Sequence, residues 1–276
     1  MILDFHEWQQ LRLGRLRNIP FLPARVKDVT IVVYHFWDHD RFDRQFDAVE
    51  CAICETWLHC GMLKTCVVLN QVTPHVERFL DKHGQFVDIR VNSELIPGDI
   101  PSMSADCNAN LHRYFDTDNV LVIQNDGYPL REGLDAFAGR YDYVGAPFLR
   151  KTRMNRLTGF WPRFAVGNGG FSLRSKRICE MAAYYWRKRY HRLPRHYRLV
   201  REDAFYCVLL PLLERPYRRT MRMAPLEVAL RFSHDQLYGE APATLPFGFH
   251  GARAFQHLVE SGLLNLDLAD TVLDHD

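Results

Sequence analysis

Four short runs constrain this chain more than any other feature: VTIVVYHF (29–36), TCVVLN (65–70), FVDIRV (86–91) and NVLVIQND (119–126). Each has strand length and is rich in β-branched residues, and the first is an unbroken apolar run of the kind a buried strand needs. The stretches between them read as helices. Residues 41–60 carry helical spacing, and VTPHVERFLDKHG (72–84) starts near Pro74 and stops at Gly84. SMSADCNANLHRYF (102–115) offers Ser102 or Ser104 as its cap. Strands alternating with helices at this spacing predict an α/β fold with a mostly parallel, doubly wound, Rossmann-like sheet flanked by helices. Ligands of such sheets bind beyond the carboxyl ends of the strands, which directs attention to Tyr34–Trp37, Asn70 and Gln124–Asp126.

The pattern changes past residue 140. YDYVGAPF is short and turn-like, FSLRS (171–175) is a brief strand, and a helix is expected over 176–190. A basic connector (191–201) leads to the helical REDAFYCVLLPLLE, then to MRMAPLEVALRF and LPFGFHG. There is no internal repeat, low-complexity tract or Gly/Ser linker, so one domain over 1–276 with a smaller second lobe is the economical reading. Its parts are a basic arm (1–28), a first half (29–126), a second half (127–252) and a tail (253–276). The arm carries Trp8, Leu11, Leu13, Leu16 and Phe21 with five basic residues. It reads as an arm packed on the domain, the alternative being a membrane-surface anchor.

Composition excludes several classes. At 47% hydrophobic and 13% aromatic the chain is not disordered. No window approaches the roughly 18 unbroken apolar residues of a membrane span, and the N-terminal residues lack signal-peptide features. The expectation is a cytoplasmic protein whose seven cysteines are free thiols. The net charge of +2 is unevenly spread: from Arg150 to Arg201 there are 15 Lys or Arg and one acid, Glu180. That asymmetry fits a phosphate-bearing ligand, an anionic membrane or nucleic acid.

Several residues could carry chemistry. Asp126, in Gln124-Asn125-Asp126-Gly127, stands at the carboxyl edge of the fourth strand, where a carboxylate can hold a divalent cation; a solvent-facing turn is the plainer reading. In VGNGGF, the glycines at 167, 169 and 170, with Asn168, allow something to approach the backbone closely, or make a tight turn into a strand. Glu202 and Asp203 open a helix, where acids suit the helix dipole and where one could serve as a general base. His250, in PFGFHG, is a candidate metal or phosphate ligand. Two arrangements carry little weight. Cys51 and Cys54, with His59 and Cys60, approach a zinc spacing but lie on a helix face. Ser233-His234-Asp235 are contiguous, whereas a triad needs spatial adjacency.

Taken in order, IQNDGYPL, YDYVGAP, VGNGGFSLRS, REDAFYC, MAPLEVALRFS and PFGFHG resemble the successive blocks of the DUF5672 glycosyltransferase-like family, over roughly residues 105–252. That family is similar to the GT-A superfamily of nucleotide-sugar transferases. The resemblance implies a GT-A-like fold with an acceptor-side lobe. It also implies a nucleotide-sugar donor, a glycan or lipid-linked acceptor, and a Mn²⁺ or Mg²⁺ ion. GT-A members hold the metal with an Asp-x-Asp motif after the fourth strand. Here Gln124 stands in the first place and Asp126 keeps the last, a departure that leaves one carboxylate for the ion. His250 resembles a late histidine that completes the metal site, the GNGG block resembles a segment lining the donor sugar, and Asp203, with Glu202 second, resembles the base. The glycines are then expected to make room for a sugar. Arg150, Lys151, Arg153 and Arg156 are assigned a donor phosphate. The implied enzyme is an inverting sugar transferase of surface-polysaccharide synthesis, cytoplasmic or peripheral at the inner face of the membrane, with no nucleic-acid partner. A non-catalytic binder of nucleic acid or anionic membrane, using residues 150–201, is the alternative from another class.

Overall fold

β1 (Val29–His35) has every residue buried and lies inside a six-stranded sheet. In the computed structural model, which describes residues 4–36, 42–147, 167–190, 201–213, 221–235 and 242–265, β1 pairs in parallel with β2 (Thr65–Leu69) on one side and β4 (Asn119–Ile123) on the other. β3 (Val87–Val91) extends the parallel set beyond β2. β7 (Phe171–Ser175) runs antiparallel to β4, and β6 (Tyr143–Gly145) antiparallel to β7, which gives the order β3-β2-β1-β4-β7-β6. The sheet is therefore mostly parallel, with β7 alone reversed. β1, β2 and β4 are buried along their whole length, as their continuous apolar runs require. β3 sits at the edge and exposes charged residues there, which discourages pairing with another chain.

α2 (Phe42–Cys60), α3 (Pro74–His83) and α4 (Ile100–Asn110) occupy the connections between these strands. α3 begins and ends where Pro74 and Gly84 direct. The expected serine cap of α4 is replaced by Asp99, whose carboxylate accepts from Ser102 N at 2.8 Å. A serine inside the first turn and an aspartate just before it give the same local signal, and the Pro101 ring fixes the start one residue after Asp99. YDYVGAPF is likewise not a turn, since Tyr143–Gly145 is a strand too short for periodicity to reveal.

A smaller sheet follows, ordered β5-β9-β8, from Gly127–Pro129, Gly248–His250 and Ser233–Asp235. β9 is antiparallel to β5 and parallel to β8. The remaining helices are α5 (Lys176–Tyr185), α6, α7 (Leu226–Phe232) and α8 (Ala252–Glu260). α6 runs from Glu202–Ala204 through a wider π turn, Phe205–Leu209, into Leu210–Leu213.

The N-terminal arm is a docked helix. In α1 (Phe5–Leu16), Asp4 and Glu7 form a capping box, and Phe5, Trp8, Leu13 and Leu16 are buried. Phe5 and Trp8 pack against the rings of Tyr128, Phe249 and Phe255, and the buried Arg12 pairs with Glu55 of α2. One cluster of buried apolar side chains runs from Phe5 to Leu258. All seven cysteines are free and buried, and burial pushes the Cys51 and Cys54 thiols up, away from the thiolate a metal needs. Among the described residues no helix is long and apolar enough to cross a membrane.

Candidate active site

Three register pairs assemble the site. Ile123 of β4 faces Phe171 of β7, so Gln124–Asp126 and Asn168–Gly170 lie side by side at the carboxyl edge of the large sheet, tied by Gln124 N donating to Gly170 O at 2.8 Å. Gly127 faces His250 in the small sheet, which sets His250 beside Asp126. Asp235 faces His250 from β8. The two sheets therefore meet at the His250 imidazole, beside the place where Phe171 of β7 packs against Gly127 and Gly248 of the small sheet.

His250 is held on both ring nitrogens. Nδ1 lies 2.9 Å from Asp235 Oδ2. Nε2 lies 3.1 Å from Asp126 Oδ1 and 3.1 Å from Gln124 Oε1. Burial alone would push this histidine down, but the Asp126 and Asp235 carboxylates outweigh it and raise it to about 10. Burial likewise pulls Asp126 up, and the neighbouring imidazolium more than offsets that, holding the carboxyl below its ordinary value.

Once Nε2 gives up its proton, the same atoms fit a cation. Adjacent ligands of a six-coordinate Mg²⁺, with bonds of 2.0–2.1 Å, stand about 3 Å apart. Asp126 Oδ1 and Gln124 Oε1 each stand at that spacing from His250 Nε2, and Asp126 Oδ1 is buried without a well-aligned hydrogen bond. Asp235 behind Nδ1 supplies the carboxylate–histidine pairing that orients a metal-bound imidazole. Asp235 thus gives back the second carboxylate that Gln124 removes, one shell further out. Sequence reasoning passed over it because Ser233-His234-Asp235 was weighed as a triad; the β8–β9 register is what gives it a role. A second group, Asp47, Glu50 and His75, gathers ligand atoms within 4.8 Å of one another, a composition able to hold a metal ion. The Arg17 guanidinium supplies the positive charge there, 2.8 Å from Asp47 Oδ1 and 2.5 Å from Glu50 Oε2.

The glycines serve a purpose other than the expected one. A Cβ on Gly169 would lie 2.0 Å from Glu202 Oε1, and a Cβ on Gly170 would lie 2.0 Å from His250 Nε2. The space they leave is filled by the protein's own Glu202 and His250, not kept open for a sugar. Both glycines still border the cavity. Asn168 organises the turn, accepting from Gly170 N at 2.8 Å and donating to Asp235 Oδ2 at 2.6 Å. Gly167 stands back from the cavity, its carbonyl accepting from Tyr143 Oη at 2.7 Å.

The acidic pair divides between two environments. Glu202 is buried, with Oε2 accepting from Ser104 Oγ at 3.0 Å and Oε1 3.9 Å from Arg174 Nη2. Asp203 is half-buried, and its Oδ1 accepts from Ala204 N at 2.6 Å. Burial, then the charge of Glu202, push Asp203 up to about 7.

Gln124–Asp126, Asn168–Gly170, Glu202, Asp203 and His250 border one cavity of about 780 Å³ at the carboxyl edge of the sheet. Gln124, Asn125, Asp126 and His250 line one side and Arg201, Glu202 and Asp203 another, with Tyr34 and Phe36 at the end of β1. Arg201 stands exposed at its mouth. The third wall is α1, including His6, Gln10 and Gly14, which no local sequence pattern places here. Gln9 docks that helix, donating to Asn125 O at 2.9 Å and to Tyr128 Oη at 2.6 Å. Arg150, Lys151, Arg153 and Arg156 lie outside the described residues.

A family model described as "Protein of unknown function (DUF5672)" matches residues 106–250. The chain belongs to the DUF5672 family. The matched segment holds β4, β7, the acidic pair and His250, whereas α1 and β1–β3 lie before it. No curated protein matches this DUF5672 member. Among solved structures it is similar to the mannosyltransferase PcManGT from Pyrobaculum calidifontis in complex with GDP-Man and Mn²⁺, at 13% identity and TM-score 0.41, covering 75% of this chain and 60% of that one. It is also similar to the galactosyltransferase LgtC in complex with donor and acceptor sugar analogues, at 15% identity and TM-score 0.40, covering 86% and 97%. Mouse xyloside xylosyltransferase 1, in its apo form, aligns at 10% identity and TM-score 0.46, covering 82% and 98%. The DUF5672 chain thus spans about 60% of the length of the Pyrobaculum enzyme.

Proposed function

We propose that this DUF5672 chain is a glycosyltransferase that moves a sugar from a nucleoside-diphosphate sugar to a hydroxyl of a glycan or lipid-linked acceptor. One observation carries the reading: a single cavity holds a cation-competent set (Asp126, Gln124, His250) and a carboxyl, Asp203, raised into the range of a working base. A diphosphate needs the first and an acceptor hydroxyl needs the second. Asp203 takes the acceptor proton as the hydroxyl oxygen bonds to the anomeric carbon. The bond from that carbon to the diphosphate oxygen breaks, and the electron pair leaves with the diphosphate. A single displacement of this kind inverts the anomeric centre. A Mn²⁺ or Mg²⁺ ion held by Asp126, His250 and Gln124 would neutralise charge on the leaving group. Arg201 at the mouth is placed to hold a phosphate, a role shared with Arg150, Lys151, Arg153 and Arg156. Asp235 keeps the His250 ring in its place. The setting we infer is surface-polysaccharide assembly at the inner face of a membrane, which suits the basic 150–201 region.

Thermal shift with nucleoside diphosphates and nucleotide sugars, with and without Mn²⁺, tests this reading. A ligand at a hundred times its Kd stabilises the native state by about 2.7 kcal/mol. One nucleotide is expected to raise the Tm in a Mn²⁺-dependent way, and Asp126→Ala to remove that dependence. If no nucleotide raises the Tm with or without metal, the transferase reading fails and the basic region becomes the functional surface.

A further inference from the structure

Beneath the acidic pair lies a cation that is costly to bury. Arg174 of β7 is fully enclosed. Its Nε donates to Ser172 Oγ at 3.1 Å, Nη1 to Cys107 Sγ at 3.2 Å and Nη2 to Gly169 O at 3.3 Å. The guanidinium faces the rings of Tyr206 and Tyr143, at 4.6 and 5.2 Å from their centroids. Its ion-pair partner among the described residues is Glu202, at 3.9 Å. A buried charge held by one distant carboxylate is a poor way to stabilise a fold, because well-packed apolar side chains do as well or better. The arrangement therefore calls for a reason other than stability.

The geometry around Glu202 supplies one. Both of its carboxylate oxygens are engaged, Oε1 toward Arg174 and Oε2 by Ser104. Gly169 is shaped around this pair: its missing Cβ would fall 2.0 Å from Glu202 Oε1 and 3.1 Å from Arg174 Nη2. Asp203 follows on the same helix, rotated by about 100°, and borders the cavity. The ionisable groups around the two acids are Arg201 on their own segment, Arg174 on β7, Tyr143 on β6, Cys107 on α4 and Cys207 in the next turn.

We propose that Arg174 is a positioning residue that splits the acidic pair, holding Glu202 as a fixed anion under the cavity floor and so making Asp203 the member that takes up and releases the proton. The use of that proton in sugar transfer rests on the function proposed above; its location does not. Burial and the Glu202 charge together raise Asp203, while the Arg174 charge itself draws it down; the part assigned here to Arg174 is to settle where the neighbouring anion stays.

The test is carboxyl ¹³C NMR on the full chain, labelled at Asp Cγ in one sample and at Glu Cδ in another. The wild type is expected to show a near-neutral titration among its Asp signals that disappears in Asp203→Asn. In Arg174→Met that titration is expected to pass to a Glu signal, absent in the double variant with Glu202→Gln, while the Asp203 midpoint falls by about one pH unit or more. Arg174→Lys, which keeps the charge, should restore the wild-type order. A near-neutral Asp203 midpoint retained in folded Arg174→Met overturns the proposal. Should Arg174→Met not fold, Glu202→Gln decides: its amide can still accept from Ser104, and Asp203 must fall, burial alone keeping it above the ordinary value of about 4. An unmoved midpoint there overturns it equally. No substrate enters these measurements. A chain with this titration but no sugar transfer would therefore sink the transferase reading alone, and an active transferase with the order reversed would sink this assignment alone.

Discussion

Gly170→Ala is the sharpest test of how the site is packed. The added methyl would lie 2.0 Å from His250 Nε2, 2.4 Å from Cδ2 and 2.6 Å from Cε1. Ordinary contact begins near 3.4 Å, so the ring must retreat by about 1.4 Å. It has little freedom to do so, because Asp235 at 2.9 Å holds one nitrogen while Asp126 and Gln124, each at 3.1 Å, hold the other. Removing one partner of a buried ion pair outright costs about 3–5 kcal/mol. Here all partners remain but are pulled out of range, so about 2–4 kcal/mol is expected. For a chain of this size that lowers the Tm by roughly 5–15 °C, since each kcal/mol is worth about 2–4 °C. The assay is thermal melting checked by urea midpoints, with Gly14→Ala as the control. Gly14 lies in α1 with nothing within 4 Å of its added Cβ, and alanine there should stabilise by roughly 0.5–1 kcal/mol. A double-mutant cycle with His250→Ala localises the effect: with the imidazole gone, Gly170→Ala should cost little, giving a coupling of about 2 kcal/mol. A Gly170→Ala protein that melts within about a degree of wild type would refute the argument, as would two substitutions whose costs simply add.

Asp203→Asn is expected to reduce transfer by at least about a hundredfold while leaving nucleotide binding intact. The wild-type rate should rise with pH through Asp203's midpoint near 7 and then level off, because the base acts deprotonated. The folded state binds this proton more tightly than the unfolded chain does. The contribution of Asp203 to stability therefore falls as pH rises from its unfolded value toward 7, and Asp203→Asn should melt above wild type at alkaline pH, with the gap closing in acid. Asp235→Asn removes the carboxylate behind His250 and should weaken Mn²⁺ affinity by about 10–100-fold, read by titration calorimetry. Gln9→Leu removes two hydrogen bonds between α1 and the Asn125–Tyr128 turn, at a cost of about 1–3 kcal/mol, and should weaken nucleotide binding without touching the acidic pair.

What the sequence disclosed and what it concealed divide along physical lines. β1, β2 and β4 of the large sheet were legible because burial on both faces writes a continuous apolar run, as in Val29–His35, whereas the three-residue β6 was too short to show. Asp126 and His250 stood out by chemistry, and both border the cavity. The purpose of the glycines was not legible, since an absent side chain says that something is near and not what it is. Only the folded chain shows Glu202 and His250 in that space. Asp235 and Arg174 were hidden for a different reason. Their meaning lies in the β8–β9 register and in a buried contact with Glu202, which local patterns do not encode. The role of α1 as a cavity wall depends on Gln9 reaching Asn125, a contact no local window contains.

That last contact bears on how the protein matures. Gln9 and Asn125 are 116 residues apart, Ser104 and Glu202 are 98 apart, and Gln124 and His250 are 126 apart. Contacts of such sequence separation form late, because the entropy of closing the intervening chain must be overcome before they return anything. The parallel strands can zip while the imidazole that joins the two sheets is still adrift. A chain halted at that stage would show most of its helical signal and much of its collapsed volume, yet have no pocket. If the proposed function holds, nucleotide binding reports completion: its recovery during refolding should lag behind the recovery of secondary structure.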